Sequence, residues 1–147
     1  MIDLDILQKA IILTQQGNFN DAEKIYFELE EKHTDNAMFL SAFGLFYISK
    51  RDYEKATYYL EKACSIEESF GTVSALGFAK YEQKNFKEAA LVLEHSLNFG
   101  ENADVYNKLV HSLFQIKIYG KAIQYTELMC EKYPNNEELF STYNMTV

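Results

Sequence analysis

Residues 43–63 read FGLFYISKRDYEKATYYLEKA, and within them two small residues, Gly44 and Ala56, stand twelve positions apart among bulky neighbours. The same spacing returns at Ala10 and Ala22, at Gly77 and Ala89, and, with a larger first member, at Val110 and Ala122. The alanines Ala22, Ala56, Ala89 and Ala122 are 34, 33 and 33 residues apart. Around them run similar phrases: QGNFNDAEKIY, KRDYEKATYYL, QKNFKEAALVL and IKIYGKAIQYT. Each phrase places an aromatic residue three positions before its alanine, at Phe19, Tyr53, Phe86 and Tyr119. A constant period of this size marks a chain assembled from tandem structural repeats.

Each unit carries two apolar-periodic stretches of roughly a dozen residues, a length that suits helices rather than strands. The periodicity predicts first helices near 3–16, 36–49, 70–83 and 103–116, and second helices near 20–32, 53–66, 86–99 and 119–132. Short polar breaks such as QGN, KRD and QKN separate them. Asp35 or Asn36 caps the second unit and Asn102 the fourth, by accepting from N–H groups that the helix leaves unpaired. Two antiparallel helices joined by a tight turn pack face to face. A small residue on each lets the backbones approach while larger neighbours interlock. In the second unit those neighbours are Leu40, Phe43, Tyr47, Tyr53 and Leu60.

In this arrangement the chain resembles the tetratricopeptide repeat, a helix–turn–helix unit of about 34 residues. Leu40, Phe43, Gly44, Tyr47, Tyr53, Ala56, Leu60 and Ala63 fall in the signature columns, as do Tyr106, Leu109, Leu113, Tyr119, Ala122, Met129 and Pro134. The resemblance covers residues 3–136. It implies an all-α fold, a right-handed superhelical array (α-solenoid) forming a single domain over 1–147, with repeats at about 3–35, 36–69, 70–102 and 103–136. Residues 137–147 read either as a capping helix or as the start of a fifth repeat. Departures are local. Lys9 and Lys80 replace apolar residues, Val110 is larger than its column prefers, and Thr126 is smaller. The stem of Lys80 can still pack while its amine reaches water.

Composition narrows the function. Fourteen basic and 22 acidic residues give a net charge of −8, with a single arginine, Arg51. A nucleic-acid binder needs a basic stripe, so none is expected as a partner. The first residues, MIDLDILQKAIILTQQG, are broken by Asp3, Asp5 and Lys9 and do not form a secretory signal. No run reaches the roughly 20 apolar residues of a membrane span. Two cysteines, Cys64 and Cys130, are too few for a disulfide framework and fit a reducing cytoplasm.

Catalytic chemistry is not expected. Paired carboxylates such as Glu30–Glu31 and Glu67–Glu68 lie near helix ends as solvated surface. His33, His95 and His111 are isolated, without the spacing that a zinc helix requires. Neither a phosphate-cradling glycine loop nor a nucleophile elbow occurs, so the chain reads as a non-enzyme without metal or cofactor.

The resemblance implies that the first helix of each unit lines a concave binding surface. Columns at i, i+3, i+7 and i+10 place Leu4, Leu7, Ile11 and Thr14 there, followed by Met38, Ser41, Leu45 and Ile48. The third unit contributes Gly71, Ser74, Phe78 and Tyr81, and the fourth Asp104, Asn107, His111 and Phe114. The groove is therefore expected to be apolar, and large exposed apolar patches mark interaction sites. A protein–protein interaction module follows, an adaptor or scaffold that binds a peptide or amphipathic helix of another protein. Some repeats of this family hold the acidic C-terminal tails of heat-shock chaperones, which requires donors in set columns. Those columns hold Leu7, Ile11, Ala42, Gly71 and Ala75, or Ser41, Leu45, Ala75, Asp104 and Lys108. Only Lys108 fits, so such tails are not expected as ligands. Two other readings stay open. One is the N-terminal repeat region of a larger enzyme, such as a glycosyltransferase or methyltransferase, with the groove serving its own longer chain. The other is a homo-oligomerisation module, for instance a homodimer closing on its apolar face.

Overall fold

The computed structural model describes residues 1–134, in which eight α-helices follow one another and no strand occurs. They are α1 (Leu4–Gln15), α2 (Phe19–Glu30), α3 (Ala37–Ser49), α4 (Tyr53–Ile66), α5 (Phe70–Glu82), α6 (Phe86–Ser96), α7 (Ala103–Gln115) and α8 (Tyr119–Lys132). The predicted ranges match these within a few residues at each end. The reading of 137–147 lies outside the described residues. The chain divides into two compact units, one over Met1–Glu68 with α1–α4 and one from Ser69 onward with α5–α8.

Every first helix is joined to its second by the same turn. Gly17, Arg51, Lys84 and Lys117 all adopt the left-handed conformation, with φ between 62° and 81°. At each, the residue's N–H donates three positions back and the next N–H donates five positions back. Arg51 bonds to the Ile48 carbonyl at 2.9 Å and Asp52 to that of Tyr47 at 2.9 Å. This pair of bonds closes the helix C-terminus and satisfies its last carbonyls. The residue that completes it already stands at the N-cap of the next helix, so no spare linker remains. The first helices start on side-chain caps: Asp3, Asn36, Ser69 and Asn102 each accept from a backbone N–H of the first turn. Asn36, not Asp35, caps α3 through a 2.9 Å bond from the Phe39 N–H.

The helix pairs pack as the small residues require, with one refinement. The small members of all four pairs are buried. The closest approach is not between Gly44 and Ala56 but between Gly44 and Leu60, one turn further along α4. A Cβ on Gly44 would lie 2.6 Å from Leu60 Cγ, and one on Gly77 would lie 2.7 Å from Leu93 Cγ. The glycines are needed for the leucines to cross them.

The cores of the two units differ. In the first, rings pile against rings. Phe43 stacks on Tyr26 at 4.9 Å between centroids and meets Tyr59 at 4.4 Å and Tyr47 at 4.9 Å. Phe39 and Phe46 complete the layer. The Tyr59 hydroxyl donates to Glu30 at 2.5 Å, tying α4 to the end of α2. Burial and that carboxylate hold its phenol well above the usual range. In the second unit Ala89, Ala90 and Leu93 of α6 share one buried cluster with Val105, Tyr106, Leu109 and Val110 of α7, and the backbones of these two helices lie closer than those of α2 and α3. Thr126 fills its column by donating to the Ala122 carbonyl at 2.7 Å. Lys80 lays its stem inward and sets its amine 2.8 Å from Glu88.

Candidate functional site

The predicted face divides between the two units. In the first, α1 and α3 lie side by side. Leu4, Met38 and Leu45 point into solvent, with 57%, 58% and 46% of their surface exposed. Ile11, Ser41, Ile48 and Thr14 are half-buried around them. Leu7 departs from the expectation. It is 2% exposed, part of the core, and has no surface to offer a partner. Helix α1 is rotated so that Leu7 and Ala10 share its inner face, which leaves Leu4 outward.

In the second unit α5 and α7 pair in the same way, and the face they carry is more polar and more closed. Ser74 is buried and its hydroxyl turns to the Gly71 carbonyl at 3.4 Å, so it too offers nothing. Phe78 and Tyr81 are half-buried against the core. Above them lies the Lys108 amine, 4.9 Å from the Phe78 ring centre and 5.7 Å from that of Tyr81. A cation over two ring faces is held electrostatically and covers apolar surface. The Tyr81 hydroxyl and His111 Nδ1 share a hydrogen bond, and the Gln115 amide nitrogen lies 3.0 Å from His111 Nε2. One assignment satisfies both contacts. A neutral imidazole donates from Nδ1 to the tyrosine oxygen and accepts from the Gln115 amide at Nε2. Burial first, then the Lys84 charge, hold the imidazole below its ordinary pKa and favour that neutral form. Phe86 closes the cluster at 5.6 Å from both rings. Phe114 turns to Tyr119 with centroids 5.5 Å apart, Asn107 is half-buried, and Asp104 and Gly71 are exposed.

His111 is therefore a bonded member of an aromatic cluster. Sequence reading did not join Phe86 and Gln115 to this face, and it met Lys108 only as the lone match to the carboxylate columns. Phe86 heads a second helix, and Lys108 lies outside the four apolar-face columns.

Among the described residues no cluster of three His, Cys, Asp or Glu side chains is gathered that could hold a metal, and no helix is long and apolar enough to cross a membrane. Cys64 and Cys130 are free thiols. Burial, helped by Glu68 and Glu61, pushes the Cys64 thiol up to about 11, so it is protonated at neutral pH and a poor nucleophile.

No protein-family model matches the sequence, and no curated protein matches it significantly. The likeness lies in solved structures. YrrB, a tetratricopeptide-repeat protein described as having an unusual peptide-binding site, superposes with a TM-score of 0.87 at 19% identity, over 96% of this chain and 74% of that one. The protein MamA gives 0.87 at 21% identity, over 97% and 78%. Cut9, from the Cut9–Hcn1 hetero-tetramer of the APC/C, gives 0.82 at 18% identity, over 97% of this chain and 29% of that one. With four left-handed turns in register and eight helices in four pairs among the described residues, the chain has the all-α fold of tandem tetratricopeptide repeats.

Proposed function

We propose that this chain is a non-catalytic protein-interaction module whose first-helix face binds a peptide or an amphipathic helix of a partner. One observation carries the reading: Leu4, Met38 and Leu45, three large apolar side chains on the adjacent helices α1 and α3, stand open to water. Exposing them costs solvation free energy, which a partner's apolar side chains would recover. An extended or helical segment with apolar residues on one side suits such a surface. The fold likeness supports the general class, since YrrB is described by its peptide-binding site.

Lys108 in the second unit narrows the partner. It is drawn over Phe78 and Tyr81 and has no other donor beside it in the columns that grip a terminal carboxylate. The acidic tails of heat-shock chaperones are therefore not the ligands we propose. The two free cysteines suit a reducing compartment such as the cytoplasm.

The test is affinity capture with Met38→Asp and Leu45→Asp together. Both side chains are exposed, so the fold survives, which circular dichroism checks. Loss of the captured partner by the folded variant supports the face. A partner held equally by both proteins would show that the face is not the site.

A further inference from the structure

On the second unit, away from the first-helix face, the structure holds a pocket of about 180 Å³ where α6 meets the turn from α7 into α8. Ala90, Leu113 and Ile116 form its floor, and Leu91 and Ile118 its walls. The walls are exposed to 64% and 45%. Its rim carries Lys87, Glu94 and Lys121.

The matching columns of the first unit show what this junction holds when it is merely surface. Counting from the repeat alanines, Ala90 and Leu91 correspond to Glu23 and Lys24, and Ile116 and Ile118 correspond to Lys50 and Asp52. There Lys50 and Glu23 form an ion pair at 3.2 Å. Four charged positions have become four apolar ones, and the ion pair has become a hollow. An exposed leucine and isoleucine beside an apolar hollow serve no packing need of the unit itself.

We propose that this pocket is a second docking site, independent of the first-helix face, that takes one leucine- or phenylalanine-sized side chain of a partner polypeptide flanked by carboxylates. Size sets the first half of the claim. An apolar cavity of roughly 150 Å³ accepts benzene, so this one admits a phenyl or isobutyl group. Charge sets the second half. The Glu94 carboxylate is engaged by Lys121 at 3.2 Å and by the Tyr125 hydroxyl at 2.8 Å. Lys87 has no acidic partner among the described residues. The mouth thus keeps a net positive charge on a chain of net charge −8. That overall charge also disfavours a second copy as the occupant, because two such chains repel.

The probe is an acetylated, amidated pentapeptide with a central phenylalanine between pairs of glutamates, titrated into methyl-labelled protein. The methyl resonances of Leu91, Ile116 and Ile118 are expected to move saturably. Leu91→Lys and Lys87→Glu are each expected to weaken binding at least tenfold, while Leu45→Asp leaves it unchanged. Both pocket substitutions are of exposed side chains, so their folded state is checked by unchanged core methyl signals. Three results would overturn the proposal. One is no movement at these methyls. Another is equal binding of a peptide with lysines in place of the glutamates. The third is movement with protein concentration alone, which would make a second copy the occupant.

Discussion

Helices α2 and α3 meet across aromatic rings, whereas α6 and α7 meet across alanines and aliphatic side chains. The two interfaces occupy the same place in the repeat, yet the ringed one holds its backbones further apart. Column by column, Phe43 in the first unit corresponds to Leu109 in the second. A repeat thus fixes where helices meet, and the volume in that column sets how closely. The difference continues outward. The first unit leaves Leu45 open to water, and in its columns the second carries Phe78 beneath a lysine and a bonded histidine.

The strongest way to break this comparison is to empty the two columns. Phe43 is fully buried and meets six other aromatic rings, those of Tyr26, Phe27, Phe39, Phe46, Tyr47 and Tyr59. Phe43→Ala should cost about 3–5 kcal/mol, and Leu109→Ala about 2–5 kcal/mol. Ring pairs add roughly 0.5–1.5 kcal/mol beyond area burial, so the first loss should be the larger. Urea unfolding measures both. Should Leu109→Ala prove the costlier, the rings are filler and not what orders the first unit.

A second test asks where the units should agree. Gly44 and Gly77 face Leu60 and Leu93 almost identically. Gly44→Ala and Gly77→Ala each overfill a crossing, at roughly 1–3 kcal/mol. The better helix propensity of alanine returns up to about 1 kcal/mol. Both variants should still be less stable than the wild type, and by similar amounts. A stabilised variant would mean that the leucine moves aside freely and that the glycine is not required.

Smaller effects of opposite sign are expected at the turns. Arg51, Lys84 and Lys117 hold the left-handed conformation that glycine adopts at Gly17. An L-residue there costs roughly 1–2 kcal/mol, while glycine adds back about 0.5–1 kcal/mol of chain entropy. Each change to glycine should therefore stabilise by about 0.5–1 kcal/mol, alike in both units. Calorimetric melting measures it. A loss of stability in one unit alone would reveal side-chain contacts that outweigh the backbone strain.

Those turns mark a limit of what sequence periodicity conveys. The helices, the buried alanines and the caps at Asn36 and Asn102 were legible because each depends on local chemistry repeated four times. The left-handed lysines were not, since lysine carries no sign of its φ. Of the predicted face, Leu4, Met38 and Leu45 are exposed, whereas Leu7 and Ser74 are buried. Helical columns give an azimuth, and a few tens of degrees of rotation of α1 decide which of Leu4 and Leu7 turns inward. Lys108 over its two rings depends on a long side chain crossing from α7 to α5, which no spacing within one helix reports. The apolar pocket required a comparison of columns between α2–α3 and α6–α7, not a reading of either alone.

The smallest expected effect sharpens the contrast between the two faces by pH. The column of His111 holds Leu45 in the first unit, so only the second unit carries a titrating group there. Burial and the neighbouring Lys84 charge keep the His111 pKa in the folded chain below the ordinary value near 6.5. The folded state then binds fewer protons than the unfolded state across that window, so stability falls as pH drops from about 6.5 toward the folded-state value. Protonation would also force two donors, the imidazolium and the Gln115 amide, to face each other at Nε2, unless the amide turns over. His111→Gln removes the titration and leaves every other titrating side chain in place. Melting curves of wild type and variant should run parallel from pH 8 to 7 and diverge below about 6.5, with the wild type losing more. Parallel curves down to pH 5.5 would mean that His111 is charged as easily in the folded chain as in water, and that its bond to Tyr81 does not depend on the neutral ring.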